Sequence, residues 1–421
     1  MSEIRPFRGL RPLPELASQI AELPYDVVDT KEARAMIKNN PMSFLRVTRA
    51  ETTLPEDVAE NDPQVYAAAR KNLEEFIAKG QLKQDATPCY YIYRQQMGQY
   101  IQIGLVAAAS VDEYRKNIIK KHELTRADKE LDRINHIKAT GAQTGPVFLA
   151  YKSKGLLNAL LLTYMSNHAP AYDFTCGDGI KHTLYVVNDP VKVNEITHIF
   201  KQVPATYIAD GHHRSAAAAK IADELSQRPN QTGKEEYNYF LAVIFPENML
   251  HILPYNRVVK DLNGLSNDEF FQALEKSFTL EEMEQDPTPK TAHTFGMYLS
   301  HKWYKLTAKE ESFKAEDPIG SLDVSILQNN LLAPILGIKD PRTDKRISFV
   351  GGIKGLKELE RKVNDGEGVV AFAMFPTSME QLMAVADNGL IMPPKSTWFE
   401  PKLRDAMTIH LIGDEQDDKS I

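Results

Sequence analysis

The run Tyr207-Ile208-Ala209-Asp210-Gly211-His212-His213-Arg214 is where residue type and spacing best suit chemistry. A short β-rich stretch meets Asp-Gly, and the alanine-rich residues 212–225 follow with the pattern of a strong helix. Asp210 is a residue type that caps helices, and Gly211 permits a tight turn, so His212, His213 and Arg214 fall in the first helical turn. That end of a helix carries unbonded N–H groups and about half a positive charge. An arginine fork and two imidazoles added there build an anion site, with phosphate the best fit. Cationic side chains oppose the helix dipole, and a bound anion would offset that cost. A surface helix start with two partly buried histidines bonded to backbone gives the same run without a ligand.

A second candidate is Lys120-Lys121-His122-Glu123-Leu124-Thr125-Arg126. The HExxH zinc pattern fails, because the residue four after His122 is Arg126. Thr125 is a candidate N-cap, which predicts a helix over 125–140 and leaves His122 and Glu123 in the preceding loop. Glu123 could act there as a general base, while His122, with Arg126 beyond it, could help hold an anion. A solvated, charge-laced helix entry explains the same residues without chemistry. The third is Met392-Pro393-Pro394-Lys395-Ser396-Thr397, followed by Trp398-Phe399. Its prolines predict an extended strand that presents Lys395, Ser396 and Thr397 to a small carboxylate or phosphate; a packed C-terminal strand is the alternative. Neither GxxxxGK[ST] nor GxGxxG nor GxSxG occurs, which argues against a Walker-type NTPase, a standard dinucleotide fold and a serine hydrolase. His182, His198, His251 and His301 show no helical ligand spacing and read as structural. Cys89 and Cys176 lie far apart, with no CxxC or ligand-like spacing.

The elements that must position these residues follow from periodicity. Residues 63–80 carry apolar side chains at Val65, Ala69, Leu73, Phe76 and Ile77 and end on Gly80, which predicts an amphipathic helix. Residues 89–93 and 100–108 predict a strand pair around Met97-Gly98. Strands are predicted at 147–151, 183–187, 205–209, 239–245 and 250–253, and helices at 156–167 and 212–225, an α/β or α+β pattern. The first 60 residues, rich in proline, read as a wrap over a surface, and the pattern resets near residue 260. That divides the chain into 1–260, an N-terminal extension plus catalytic core, and 261–421, a C-terminal α+β domain expected to return the Pro-Pro-Lys-Ser-Thr strand to the cleft of the core. The acidic tail 414–421 reads as frayed.

With 421 residues, 43% hydrophobic and 25% charged, the chain has ordinary globular material for two or three domains. A formal charge of -7 argues against a nucleic-acid partner. No apolar run approaches the ~20 residues of a membrane span. With few cysteines and no signal-like N-terminus, the expectation is a cytoplasmic protein without a membrane partner. The sequence leaves the oligomeric state open.

The three segments also occur, in this order, in a known family. The His122-Glu123 pair, Asp210-Gly211-His212-His213-Arg214 and Pro394-Lys395-Ser396-Thr397 resemble the PHE, DGHHR and SPKTT segments of the archaeal free L-serine kinases, members of the ParB/sulfiredoxin-like superfamily. The whole chain also resembles a large bacterial and archaeal family sharing ADGHHR, HExT and PPKST. The first resemblance implies a ParB/sulfiredoxin-like nucleotide-binding core and phosphoryl transfer from ATP or ADP to the hydroxyl of free L-serine or a similar small metabolite. It implies Glu123 as base and Asp210 beside the metal and the moving phosphoryl group. His212, His213 and Arg214 would cradle the nucleotide phosphates, and Lys395, Ser396 and Thr397 would contact the substrate. Mg²⁺ is the cofactor such chemistry ordinarily uses. Eighty-seven positions separate Glu123 from Asp210, which an insertion over 156–198 would explain, and about 120 residues precede Glu123. A ParB-like nucleotide switch and a metabolite-binding protein without turnover are the alternatives.

Overall fold

The apolar runs Val147–Tyr151 and Tyr239–Pro246 are buried along their whole length, and both lie at the centre of a sheet covered on both faces. The computed structural model describes residues 2–153, 155–284 and 286–413; the tail 414–421, read above as frayed, lies outside them. The chain forms two compact units, one running to Leu250 and resuming at Pro401, the other His251–Glu400. Both mix helix and strand, so the protein is of the mixed α/β class.

The first unit is built on a nine-stranded mixed sheet. Its order is Ile119–Lys120, Thr206–Asp210, Val147–Tyr151, Tyr239–Pro246, Tyr100–Ser110, Tyr90–Met97, Lys181–Val187 and Tyr172–Thr175, with Ile4–Arg5 also paired to Tyr100–Ser110. Tyr239–Pro246 runs parallel to Val147–Tyr151, and Thr206–Asp210 parallel to Ile119–Lys120; the other pairings are antiparallel. The predicted hairpin at Met97-Gly98 is present, with Met97 opposite Tyr100 and Gly98 at φ +58°. Ala217, Ala218, Ile221 and Ala222 of the helix His212–Leu225 pack with Leu149, Ile208 and Ile244 of the sheet, and small alanines permit that close approach. The segment expected as an insertion supplies the helices Gly155–Asn167 and Pro190–Phe200. It also supplies Tyr172–Thr175 and Lys181–Val187, which extend one edge of the same sheet.

The amphipathic helix is observed as Pro63–Ala78, with Pro63 in its first turn and Asp62 accepting from the Gln64 N–H. Residues 2–60, expected as a wrap, contain the helix Thr30–Asn39, and Ile20, Phe44 and Val47 share a core cluster with Leu73 and Phe76. The predicted helix 125–140 begins later, at Ala127–Thr140. Thr125 does not cap it: the Thr125 hydroxyl donates to Glu130 Oε2 at 2.8 Å, and Arg126 holds the cap position without a side-chain bond. From Pro401 the chain threads back through this unit, where Asp405 and Glu22 exchange backbone bonds and His410–Leu411 pairs with Ala142–Gln143.

The second unit carries a six-stranded antiparallel sheet in the order Phe278–Met283, Lys302–Ala308, Thr294–Leu299, Val370–Ala373, Tyr255–Val259, Ile347–Gly351. The helix Gly355–Asn364 covers it through Leu359, which packs with Val258, Tyr298 and Ala371. Residues 393–397 were expected as an extended strand, but the strand starts only at Trp398–Glu400. Lys395 takes a left-handed φ of +59°, and Ser396 Oγ donates to the Pro393 carbonyl at 2.6 Å, closing a turn. Prolines fix their own φ and restrain the residue before them; they leave the residue after them free to reverse the chain.

Candidate functional site

Thr206–Asp210 reaches its C-terminal end through a register shift between Ile208 and Asp210, so Ala209 is the extra residue of a bulge and the Asp210 side chain is re-aimed. Gly211 follows at φ +98°, and a Cβ there would lie 3.2 Å from Val147 Cα, so both the turn and the packing need glycine. Gly211 is therefore the N-cap of His212–Leu225, and Asp210, read from sequence as the cap, is instead the last residue of the strand. Asp210 Oδ1 accepts from the Gly211 N–H at 2.8 Å, and Oδ2 lies 3.1 Å from Lys402 Nζ. The helix has no side-chain capping bond, and Ser215 is the first of its residues whose N–H returns to the Gly211 carbonyl.

His212 is buried at this start. Its Nδ1 lies 4.0 Å from Glu123 Oε2, its Nε2 has no hydrogen-bond partner, and its ring meets that of His122 edge-on at 4.7 Å. His122 is buried too, bonded to the Ile208 backbone and unpartnered at Nδ1. Burial lowers both rings, His122 to about 4 and His212 well below the ordinary value, where His122 adds a further push. Both imidazoles are neutral at pH 7, so they bring hydrogen-bonding nitrogens, and His212 lacks the positive charge expected of it from the sequence. Glu123 is 48% exposed and open to a small molecule.

Arg214 is not turned to solvent. Its Nη1 donates to the Pro146 carbonyl, and Nη2 lies 3.9 Å from Asp210 Oδ1. Burial would lower the guanidinium, but Asp26, Asp210 and Asp405 hold it above its ordinary value, so its charge is spent on protein carboxylates. The cation at Asp210 is Lys402, to which sequence reasoning gave no role. Burial alone would raise the Asp210 carboxyl; Lys402 and then Arg214 hold it well below the usual range. His213 Nε2 accepts the Arg126 backbone N–H at 3.0 Å, while the Arg126 guanidinium pairs with Asp128 and is 70% exposed. His122, Glu123, Asp210, Gly211, His212, His213, Arg214 and the Arg126 backbone thus gather in the first unit. Lys395, Ser396 and Thr397 belong to the second, where the Lys395 carbonyl accepts from Arg257 at 3.0 Å and the Ser396 carbonyl from Thr377 at 2.9 Å.

Among the described residues, Cys176, Asp178 and His182 form a group whose potential metal-ligating atoms lie within 4.8 Å of one another. Arg404 already fills the position of a cation there: it pairs with Asp178, and its Nε donates to His182 Nε2 at 3.3 Å. The three residues lie within seven positions, closer than the sequence reading of Cys176 and His182 allowed for, whereas Arg404 reaches His182 across 222 positions.

Residues 4–325 match the family described as a protein of unknown function, DUF1015. The chain belongs to that family. No curated protein matches it. Among solved structures, it is similar to a conserved hypothetical protein from Pyrococcus furiosus, at 15% identity and a TM-score of 0.35 over 73% of this chain and 95% of that one. It is also similar to a free serine kinase in complex with AMP, at 14% identity and a TM-score of 0.33 over 72% and 92%. A third is SbnI with C-terminal truncation from Staphylococcus aureus, at 12% identity and a TM-score of 0.39 over 75% and 91%. No helix among the described residues is long and apolar enough to cross a membrane.

Proposed function

We propose that this chain is a phosphotransferase, moving a phosphoryl group from ATP or ADP to the hydroxyl of free L-serine or a similar small metabolite, at the start of His212–Leu225. The observation that carries the reading is the uncapped helix start beside two buried, neutral histidines with idle ring nitrogens, facing a reachable carboxylate. Polar atoms buried without partners cost about 1–3 kcal/mol each, a cost that a polar ligand recovers. The resemblance of the His122-Glu123 and Asp210–Arg214 segments to those of the free L-serine kinases supports the same reading, as does the superfamily that resemblance implies.

In this reading the helix N–H groups and His213 receive the nucleotide phosphates, and Lys402 stands beside Asp210 to face the transferred group. Glu123 takes the acceptor's hydroxyl proton as its oxygen bonds to the terminal phosphorus; the bond to the bridging oxygen breaks, and the nucleotide leaves one phosphate shorter. Asp210 fits a resident magnesium ion poorly, since its oxygens already meet the Gly211 N–H and the Lys402 ammonium. Mg²⁺ therefore belongs to the substrate here, arriving on the nucleotide. Purified protein with terminally labelled ATP or ADP and a panel of hydroxy amino acids tests the proposal. Label should pass to the hydroxyl of one acceptor, and Glu123→Gln should lower the rate about 100-fold or more while nucleotide still binds. No labelled acceptor across the panel, or an unchanged rate in the variant, overturns it.

A further inference from the structure

The second unit holds a cavity of about 320 Å³ that the reaction above does not use. At its base is Arg257, on the strand Tyr255–Val259 and only 4% exposed. Its Nη1 donates to the Tyr255 carbonyl, its Nη2 to the Lys395 carbonyl at 3.0 Å, and its guanidinium carbon lies 5.5 Å from the Phe349 ring centre. Those partners are dipoles and a ring face, and none carries a negative charge. Burial accordingly pushes Arg257 down to about 10, whereas Arg214 in the first unit is held up by carboxylates. A buried charge balanced only by dipoles is costly, and an anion entering from the cavity would relieve it.

The rest of the cavity fits an anion with an organic part. Lys339, exposed, and Arg342 stand at its edge, and Asp340 is held by Arg342 through two bonds of 2.9 Å. Three cations thus face one carboxylate, leaving two positive charges in excess. Leu332, Phe349 and Pro394 supply apolar wall. The turn Gln328–Leu332 is π-helical, a local expansion often found at ligand sites, and Gln328 Nε2 donates to the Ile338 carbonyl at 2.7 Å, anchoring the loop that carries Lys339. The Pro393–Ser396 turn, singled out in the sequence for a Lys-Ser-Thr cluster, instead supplies wall and the carbonyl that orients Arg257.

We propose that this cavity binds the phosphate of a small phosphomonoester at Arg257, with its organic part against Leu332, Phe349 and Pro394. A dianion matches the excess charge, and the volume, at the low end for ligand pockets, suits a small metabolite. The site is made wholly of second-unit residues and stands apart from the reading of the first.

Calorimetric titration of the full chain with phenyl phosphate tests it. Saturable binding is expected, with benzoate about tenfold weaker or worse, Arg257→Met weaker by about tenfold or more, and Lys339→Glu by about threefold. His213→Ala, in the first unit, should leave phenyl phosphate binding intact. If Arg257→Met does not fold, Lys339→Glu, a change on an exposed side chain, still decides. Absence of binding to the unaltered chain, equal binding to Lys339→Glu, or loss on His213→Ala instead would overturn the proposal. Failure to phosphorylate any acceptor would leave it standing.

Discussion

His182, on the strand Lys181–Val187, and His212, opening the helix His212–Leu225, are both buried, and burial holds both rings neutral. They differ in what their nitrogens meet. His182 Nδ1 lies 2.6 Å from the Tyr93 hydroxyl and Nε2 accepts from Arg404 Nε, so the ring is spent within the protein. His212 Nε2 has no partner, and Nδ1 stands 4.0 Å from an exposed carboxylate. Burial and a depressed pKa alone therefore do not separate a structural histidine from a functional one; the unfilled hydrogen-bonding capacity does. One short segment serves both places, for Lys402 pairs with Asp210, Arg404 binds His182 and Asp178, and Asp405 acts electrostatically on Arg214.

The largest effects come from truncating the two rings. His182→Ala leaves a buried phenol and a buried guanidinium short of a partner and opens a void, so it should cost about 3 kcal/mol of stability in denaturant unfolding. The fraction that folds should keep its activity. His212→Ala removes a ring that lacks such partners, and should cost about 1 kcal/mol while lowering turnover about tenfold or more. The reverse pattern, with His212 the stabiliser and His182 the one needed for turnover, would break the comparison.

Asp405 sharpens it through pH. Burial raises its carboxyl to about 7, and Oδ1 has no hydrogen-bond partner. From about pH 4 to about pH 7 the folded chain keeps a proton that the unfolded chain has already lost. The stability linked to this group is thus full below about pH 4, falls as pH rises from there, and is gone above about pH 7. Asp405→Asn removes the titration. Relative to the unaltered chain, it should gain about 2 kcal/mol between pH 5 and pH 8, read from denaturant midpoints. An equal difference at the two pH values would mean that Arg214 and Arg133 keep Asp405 ionised in the fold.

Local pattern explains what the sequence made legible and what it hid. The helix Pro63–Ala78, the hairpin at Met97-Gly98 and the strand-to-helix passage at Asp210-Gly211 are each encoded within a few residues, by apolar period, by a turn glycine and by an alanine run. Lys402 meets Asp210 across 192 positions, and no local period records such a meeting. A faint signal exists: Lys402, Arg404 and Asp405 sit among Leu403, Ala406, Met407 and Ile409, and charges in an apolar stretch are charges about to be buried. The charge state of the site was hidden for a related reason. His212, His213 and Arg214 read as cations in a sequence; burial lowers the pKa of the first two, and aspartates claim the third.

The smallest predicted effect separates a side chain from its own backbone. The Arg126 guanidinium bonds Asp128 at 2.8 Å in open solvent, whereas the Arg126 N–H donates to His213 Nε2 at 3.0 Å. That bond requires the neutral Nδ1–H form of His213, in keeping with the lowering of its pKa by burial. Arg126→Ala keeps the N–H and removes a pair that solvent already screens, so ADP affinity should stay within about twofold. Arg126→Pro keeps neither, and without the donor the His213 ring is free to turn, which should weaken ADP about threefold to fivefold by calorimetry. If the alanine variant instead loses as much as the proline one, the guanidinium itself reaches the ligand. The His212 side of the comparison would then extend beyond the helix start to an exposed cation, which the buried cluster around His182 lacks, since its cation is the buried Arg404.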